Sequence, residues 1–278
     1  LSAMLPCWCG VGWIGLGTGL GYAMCNFPAV FQQSPSVQAW IGAGFALLGA
    51  AAVPKAGSWP VGKPEKLIPF AAAVLVFTAL VWMDSAAFFI IQHVRDLKSG
   101  TWGEGMLWRN AAIHLVFALL AGLWLLRGNA RLLPWAAWLL LGIAALAVND
   151  VSSRNLAGWI YPAAVSLYST ALVAWPGWFS GASDPKSAAW RGAWLFAVAG
   201  WFGSANGIGM AQTLNRVPVA FVIGAGIVVV AATFLSGRWH RQALAAVSVV
   251  LLAGLAAGMK SAPVGKTAEE RGHHVYVS

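Results

Sequence analysis

Acidic residues are nearly missing from this chain: Asp and Glu number 8 in 278 residues, and charged residues of both signs make up 9%. Soluble globular domains carry about 25% charged residues, so so sparse a supply excludes the soluble class. Cysteine is also scarce. Cys7, Cys9 and Cys25 are the full set, and Cys7-Trp8-Cys9 lacks the two-residue spacer of redox and zinc motifs. They read as ordinary small membrane residues. No segment alternates polar and apolar residues as a barrel strand does. No nucleophile–His–acid set, zinc spacing or nucleotide loop in a soluble context is visible either, so no catalytic activity of its own is expected.

What the chain has is apolar surface. Hydrophobic residues reach 59%, tryptophans number 17 and the mean hydropathy is +0.72. The fold class expected is all-α, a polytopic membrane protein of about nine spans of roughly 20 residues each. The spans read as 7–31, 36–53, 67–94, 106–126, 132–148, 158–179, 188–212, 217–235 and 240–259. Residues 1–260 form the expected bundle, and 261–278 a polar tail. Leu1 is not an initiator Met and the tail has only just turned polar, which reads as a processed or truncated chain.

The 17 Lys and Arg give a net charge of +9 and lie between spans, where they suit anionic lipid headgroups rather than nucleic acid. Counted on alternate sides, Lys55, Lys63, Lys66, Arg127, Arg131, Lys186, Arg191, Arg238 and Arg241 oppose Arg95, Lys98, Arg109, Arg154 and Arg216. The larger set is expected to be cytoplasmic, leaving the tail outside a bacterial inner membrane. The loop RDLKSGTWGEG links the third and fourth spans, with Trp102 and Trp108 suited to a headgroup belt.

Asp84 is the one acid deep inside a membrane-length apolar run. A carboxylate at that depth is expensive and marks a functional-site candidate. It lies about ten residues, or about 15 Å, from the outer end of its helix. His114 has a similar depth on the next span. The two are expected either to form a proton-coupling or ligand-contacting pair, or to leave Asp84 accepting hydrogen bonds from Ser, Trp or Tyr as a packing device. Tyr161, Ser166, Tyr168, Ser169 and Thr170 form a polar ladder on the sixth span, bracketed by Pro162 and Pro176. GWFGSANGIGMAQ on the seventh carries Asn206 and Gln212 at a glycine-rich break. Together these read as the lining of one cavity or as helix–helix glue. Gly15, Gly17, Gly19 and Gly21, with Gly203 and Gly207, are expected at close helix contacts. His93 at the surface and His114 deeper are a poor pair of axial ligands, so no metal site is expected within the chain.

Two resemblances follow from these residues. The multi-span organisation, with its Gly-rich first span, Pro-terminated helices and one intramembrane acid, resembles part of a major facilitator superfamily transporter. That family's Gly–Asp–Arg-type loop after the second span is absent, the loop here being PKAGSWPVGKPEK. The tail Arg271-Gly272-His273-His274-Val275-Tyr276-Val277-Ser278 resembles the lead-in to the haem-attachment site in subunit II of C-type haem–copper oxidases. This resemblance implies a Cys-x-x-Cys-His motif and haem c in a C-terminal segment beyond Ser278, with His273 and His274 as linker residues. It also implies other subunits of an electron-transfer complex as partners. The expectations are therefore a membrane module of a c-type cytochrome or electron-transfer complex and, alternatively, a proton-coupled transporter using Asp84.

Overall fold

The computed structural model describes residues 11–52, 70–103, 105–127, 132–180 and 185–234. Regular structure in these residues is helical throughout. The helices are α1 (Val11–Cys25), α2 (Pro28–Phe31), α3 (Pro35–Ala52), α4 (Phe70–His93), α5 (Arg95–Trp102), α6 (Met106–Leu126), α7 (Leu133–Ala147), α8 (Arg154–Ser180), α9 (Pro185–Leu195), α10 (Ser204–Leu214) and α11 (Val219–Phe234). A short 3₁₀ turn, Val151–Ser153, leads into α8, and a π-helix, Phe196–Gly203, joins α9 to α10. The ninth expected span, the tail, Cys7 and Cys9 lie outside the described residues.

Among the described residues three segments are long and apolar enough to cross a membrane: Phe70–His93, Met106–Leu126 and Val151–Trp175. The expectation of nine such spans is thus supported in kind but not in number. Leu133–Ala147 is apolar but, at 15 residues, covers only about 22 Å of a hydrocarbon core about 30 Å thick. The expected first span is interrupted by Asn26 and Phe27, so α1 ends at Cys25. The segment Arg95–Trp102, expected as a loop, is helical: burying Leu97 and Thr101 while exposing Arg95 and Lys98 gives it an amphipathic face to dock. Pro162 and Pro176 do not bracket a span, since α8 runs through both.

α8 sits at the centre. Every residue from Tyr161 to Leu172 is buried, because α4, α6, α7 and α1 all pack around it. The glycines explain two of the other contacts. A Cβ on Gly15 would fall on the Ala118 carbonyl and within 2.8 Å of Gly122 Cα, and one on Gly19 would lie 3.1 Å from Leu115 Cα. α1 therefore lies directly on the α6 backbone through this small-xxx-small pair. Gly17 and Gly21, expected at the same kind of contact, have nothing within 4 Å. The two pairs lie on different faces of the helix, and only one face meets α6.

On the opposite flank of the Asp84 helix, residues 185–214 run on without a break. Their inward residues Leu195, Ala199, Gly203, Gly207 and Ala211 recur every fourth position. Four residues overshoot a full α-helical turn by about 40°, so such a stripe would wind off the contact. The wider π turn at Phe196–Gly203 takes up that overshoot and keeps Ala199, Gly203, Gly207 and Ala211 on α4, while α9 before it packs on α8. A Cβ on Gly207 would fall on the Trp82 carbonyl, and one on Gly203 would lie 3.0 Å from the Thr78 carbonyl.

Gly15→Ala and Gly207→Ala are expected to destabilise the bundle by about 1–3 kcal/mol each, the usual cost of overpacking. Gly17→Ala and Gly209→Ala, where space is open, are expected to leave it unchanged. Thermal unfolding of the four variants in one detergent checks the contrast.

Candidate functional site

The polar interior of the bundle is built by the tyrosines of α8. Tyr161 and Tyr168 are seven residues apart, two helical turns, and so share a face. That face meets α4 at Asp84. The Tyr161 hydroxyl donates to Asp84 Oδ1 at 2.6 Å and the Tyr168 hydroxyl to Oδ2 at 2.5 Å. Both tyrosines are buried while Asp84 itself is half-buried. Each carboxylate oxygen thus has one short donor, the arrangement that replaces part of the hydration lost in an apolar interior. Among the described residues the one salt bridge is Arg154 to Asp96, so the donors at Asp84 are neutral hydroxyls.

His114 does not pair with Asp84. Its Nδ1 lies 2.8 Å from Ser166 Oγ, and its ring stacks on Tyr22, with centroids 4.7 Å apart and planes at 11°. Tyr22, on α1, shares a 2.8 Å hydrogen bond with Ser169. The reason is the turn of α8: Ser166 and Ser169 face α1 and α6, while Tyr161 and Tyr168 face α4. One helix thereby serves two polar contacts, which meet where Ser169, the partner of Tyr22, also interacts with Tyr168. Thr170 turns back on its own helix, donating to the Ser166 carbonyl at 2.8 Å.

α10 reads in sequence as cavity lining or as helix–helix glue, and its Asn206 and Gln212 do not join this ladder. Asn206 donates to the Phe202 carbonyl of its own helix at 2.8 Å, and Gln212 is exposed. The chain here is a continuous helix rather than a break, because the glycines serve close packing. Ser204, in the same glycine-rich stretch, reaches α4 instead, sharing a 2.9 Å hydrogen bond with Ser85 next to Asp84.

His93 lies 2.8 Å from the Phe89 carbonyl through Nδ1 and stacks on the Phe89 ring at 3.9 Å. Among the described residues no group of three His, Cys, Asp or Glu could hold a metal ion. Three contacts near the helix ends were missed in the sequence. Asn149 closes a two-bond contact with the Val217 backbone, at 2.8 and 2.9 Å. Asn110 donates to the Thr101 carbonyl at 2.5 Å. Arg109 reaches the Gly100 and Gly158 carbonyls at 2.8 and 3.2 Å. One signal for the tyrosine cluster was present: the chain has only 4 Tyr, and three of them are in this interior.

Tyr161→Phe and Tyr168→Phe are expected to cost about 1–2 kcal/mol each, in line with inter-helix hydrogen bonds in membrane proteins. Each should couple to Asp84→Ala in a double-mutant cycle, the combined loss falling short of the sum of the single losses. His114→Ala, which reaches Asp84 only through Tyr22 and Ser169, should couple to Asp84→Ala more weakly than either tyrosine does. Equilibrium unfolding in mixed micelles checks all three.

Compared with known proteins, the chain matches no family profile, no curated protein and no solved structure.

Proposed function

We propose that this chain is the membrane-embedded module of a c-type cytochrome or electron-transfer complex, serving as anchor or partner subunit. The observation that carries the reading is the segment Arg271–Ser278, whose Gly272-x-x-Val275-Tyr276 pattern resembles the run into a haem-attachment site. The bundle supports a static role. Both oxygens of Asp84 are taken by tyrosine hydroxyls from one buried helix, and residues 185–214 form an unbroken rod. Alternating-access transport makes the opposite demands: an exchangeable carboxylate and interrupted helices at the midplane.

The described residues do not fit covalent haem themselves. Cys25 is exposed, with no second cysteine beside it among the described residues, while His93 and His114 are engaged elsewhere. The haem would be carried by sequence beyond Ser278. The tail would lie on the outer side of a bacterial inner membrane, where c-type haem is attached, in keeping with the nine-to-five bias of Lys and Arg between spans. Membrane lipids and other subunits of the complex are the partners in this reading.

A second reading is favoured by one observation. Asp84 is a half-buried carboxylate about 14 Å from the end of its helix, a position suited to proton coupling in a secondary transporter of the major facilitator type.

The experiment is a pyridine haemochrome spectrum of the full-length native protein, together with Asp84→Asn. The expected outcome is a covalent c-type signal that persists in a correctly assembled Asp84→Asn variant. Absence of haem, with pH-dependent uptake that Asp84→Asn abolishes, would replace this reading by the transporter.

A further inference from the structure

We propose that the end of the bundle formed by α5 and the first turns of α6 and α8 binds the phosphate of an anionic phospholipid, with Arg109 as its principal contact. Arg109 is half-buried in the first turn of α6. Its Nη2 donates to the Gly100 carbonyl at 2.8 Å, the Gly158 carbonyl at 3.2 Å and, at 3.4 Å, Asn110 Oδ1. Its guanidinium carbon sits 4.8 Å from the centre of the Trp159 ring. All of these contacts orient the cation and none neutralises it, since carbonyl and amide oxygens carry no net charge. Arg109 Nε is buried without a partner.

A half-hidden charge at the edge of a low-dielectric layer favours a counterion. Among the described residues the one ion pair joins Arg154 to Asp96 at 3.7 Å, and Asp96 is 80% exposed. α5 turns Arg95 and Lys98 outward at the same end, adding to the positive potential. Charge complementarity therefore calls for an anion, and the guanidinium fork suits phosphate oxygens.

The surface beside Arg109 identifies that anion as a lipid rather than a soluble ion. Trp159 and Trp108 are 55% and 59% exposed, the position of a headgroup belt. From Trp108 an exposed apolar stripe descends α6 through Val116, Leu120 and Leu123. A phosphate held at Arg109 would stand directly above a surface shaped for acyl chains.

The test uses delipidated full-length protein in detergent, with thermal unfolding followed as short-chain phosphatidylglycerol, short-chain phosphatidylcholine or inorganic phosphate is added. Phosphatidylglycerol should raise Tm by about 2–4 °C, the shift that a kcal-scale linkage produces in a chain of this size. Phosphatidylcholine and phosphate should not. Arg109→Gln also removes the bonds to Gly100 and Gly158, so its lipid-free Tm falls and the quantity read is the phosphatidylglycerol increment. That increment should vanish in Arg109→Gln, shrink in Trp159→Leu and survive in Arg127→Gln at the opposite end. An equal increment with phosphatidylcholine, its reproduction by phosphate alone, or its survival in Arg109→Gln would overturn the proposal. So would a Glu104→Gln variant whose lipid-free Tm falls as far as that of Arg109→Gln, since the counterion would then be internal.

Discussion

A carboxylate inside an apolar bundle has to find donors within the protein, and that demand organises the interior of this chain. Asp84 draws two hydroxyls from α8, fixing the rotation of that helix about its own axis and its height against α4. With Tyr161 and Tyr168 committed to one side, Ser166 and Ser169 are turned to the other, where His114 and Tyr22 meet them. In lipid the apolar side chains of different helices gain little from one another that acyl chains do not also offer. Directional polar contacts of this kind and close backbone packing therefore carry the specificity of association.

The close packing follows a different rule on each flank of α8 and α4. α1 meets α6 through glycines four apart, Gly15 and Gly19, over a short contact that a straight helix can sustain. Residues 196–214 keep a four-residue stripe against α4 over a longer stretch, while 185–195 pack on α8; an ideal α-helix would wind such a stripe off the contact. The π segment Phe196–Gly203 supplies the missing rotation. Ser204 then lands opposite Ser85, beside Asp84, so the rod that corrects its own register also braces the helix carrying the carboxylate.

Much of this was legible in the sequence, for identifiable reasons. The apolar run ending at Val94 and the run Met106–Leu126 carry their own boundaries in His93, the short basic segment and Arg127, and the helices stop there. Asp84 announced itself by contrast with its surroundings, and acceptance of tyrosine hydrogen bonds was among the readings it allowed. The identity of its partners was not legible. Depth along neighbouring spans suggested His114, but a partner is chosen by the azimuth of each side chain around its helix, which packing sets. The same limit left Asn206 and Gln212 open between cavity lining and helix–helix glue, because glycines that permit close packing look in sequence like glycines that interrupt a helix. α5 was hidden by its length, since eight residues give too few turns for a convincing period. Arg109 was counted as a topological charge, and its carbonyl contacts arise only when α5, α6 and α8 converge.

The central claim is that the Asp84 clamp is closed in the working protein and holds the bundle in one arrangement. It is tested most directly by the reactivity of that carboxyl towards a membrane-permeant carbodiimide, read by mass spectrometry on protein in native membranes. The account predicts that Asp84 stays unmodified in the wild type and becomes modified when Tyr161→Phe and Tyr168→Phe are combined. Rapid modification of Asp84 with both tyrosines in place would contradict it, because the carboxyl would then be open and exchanging as a transport site requires.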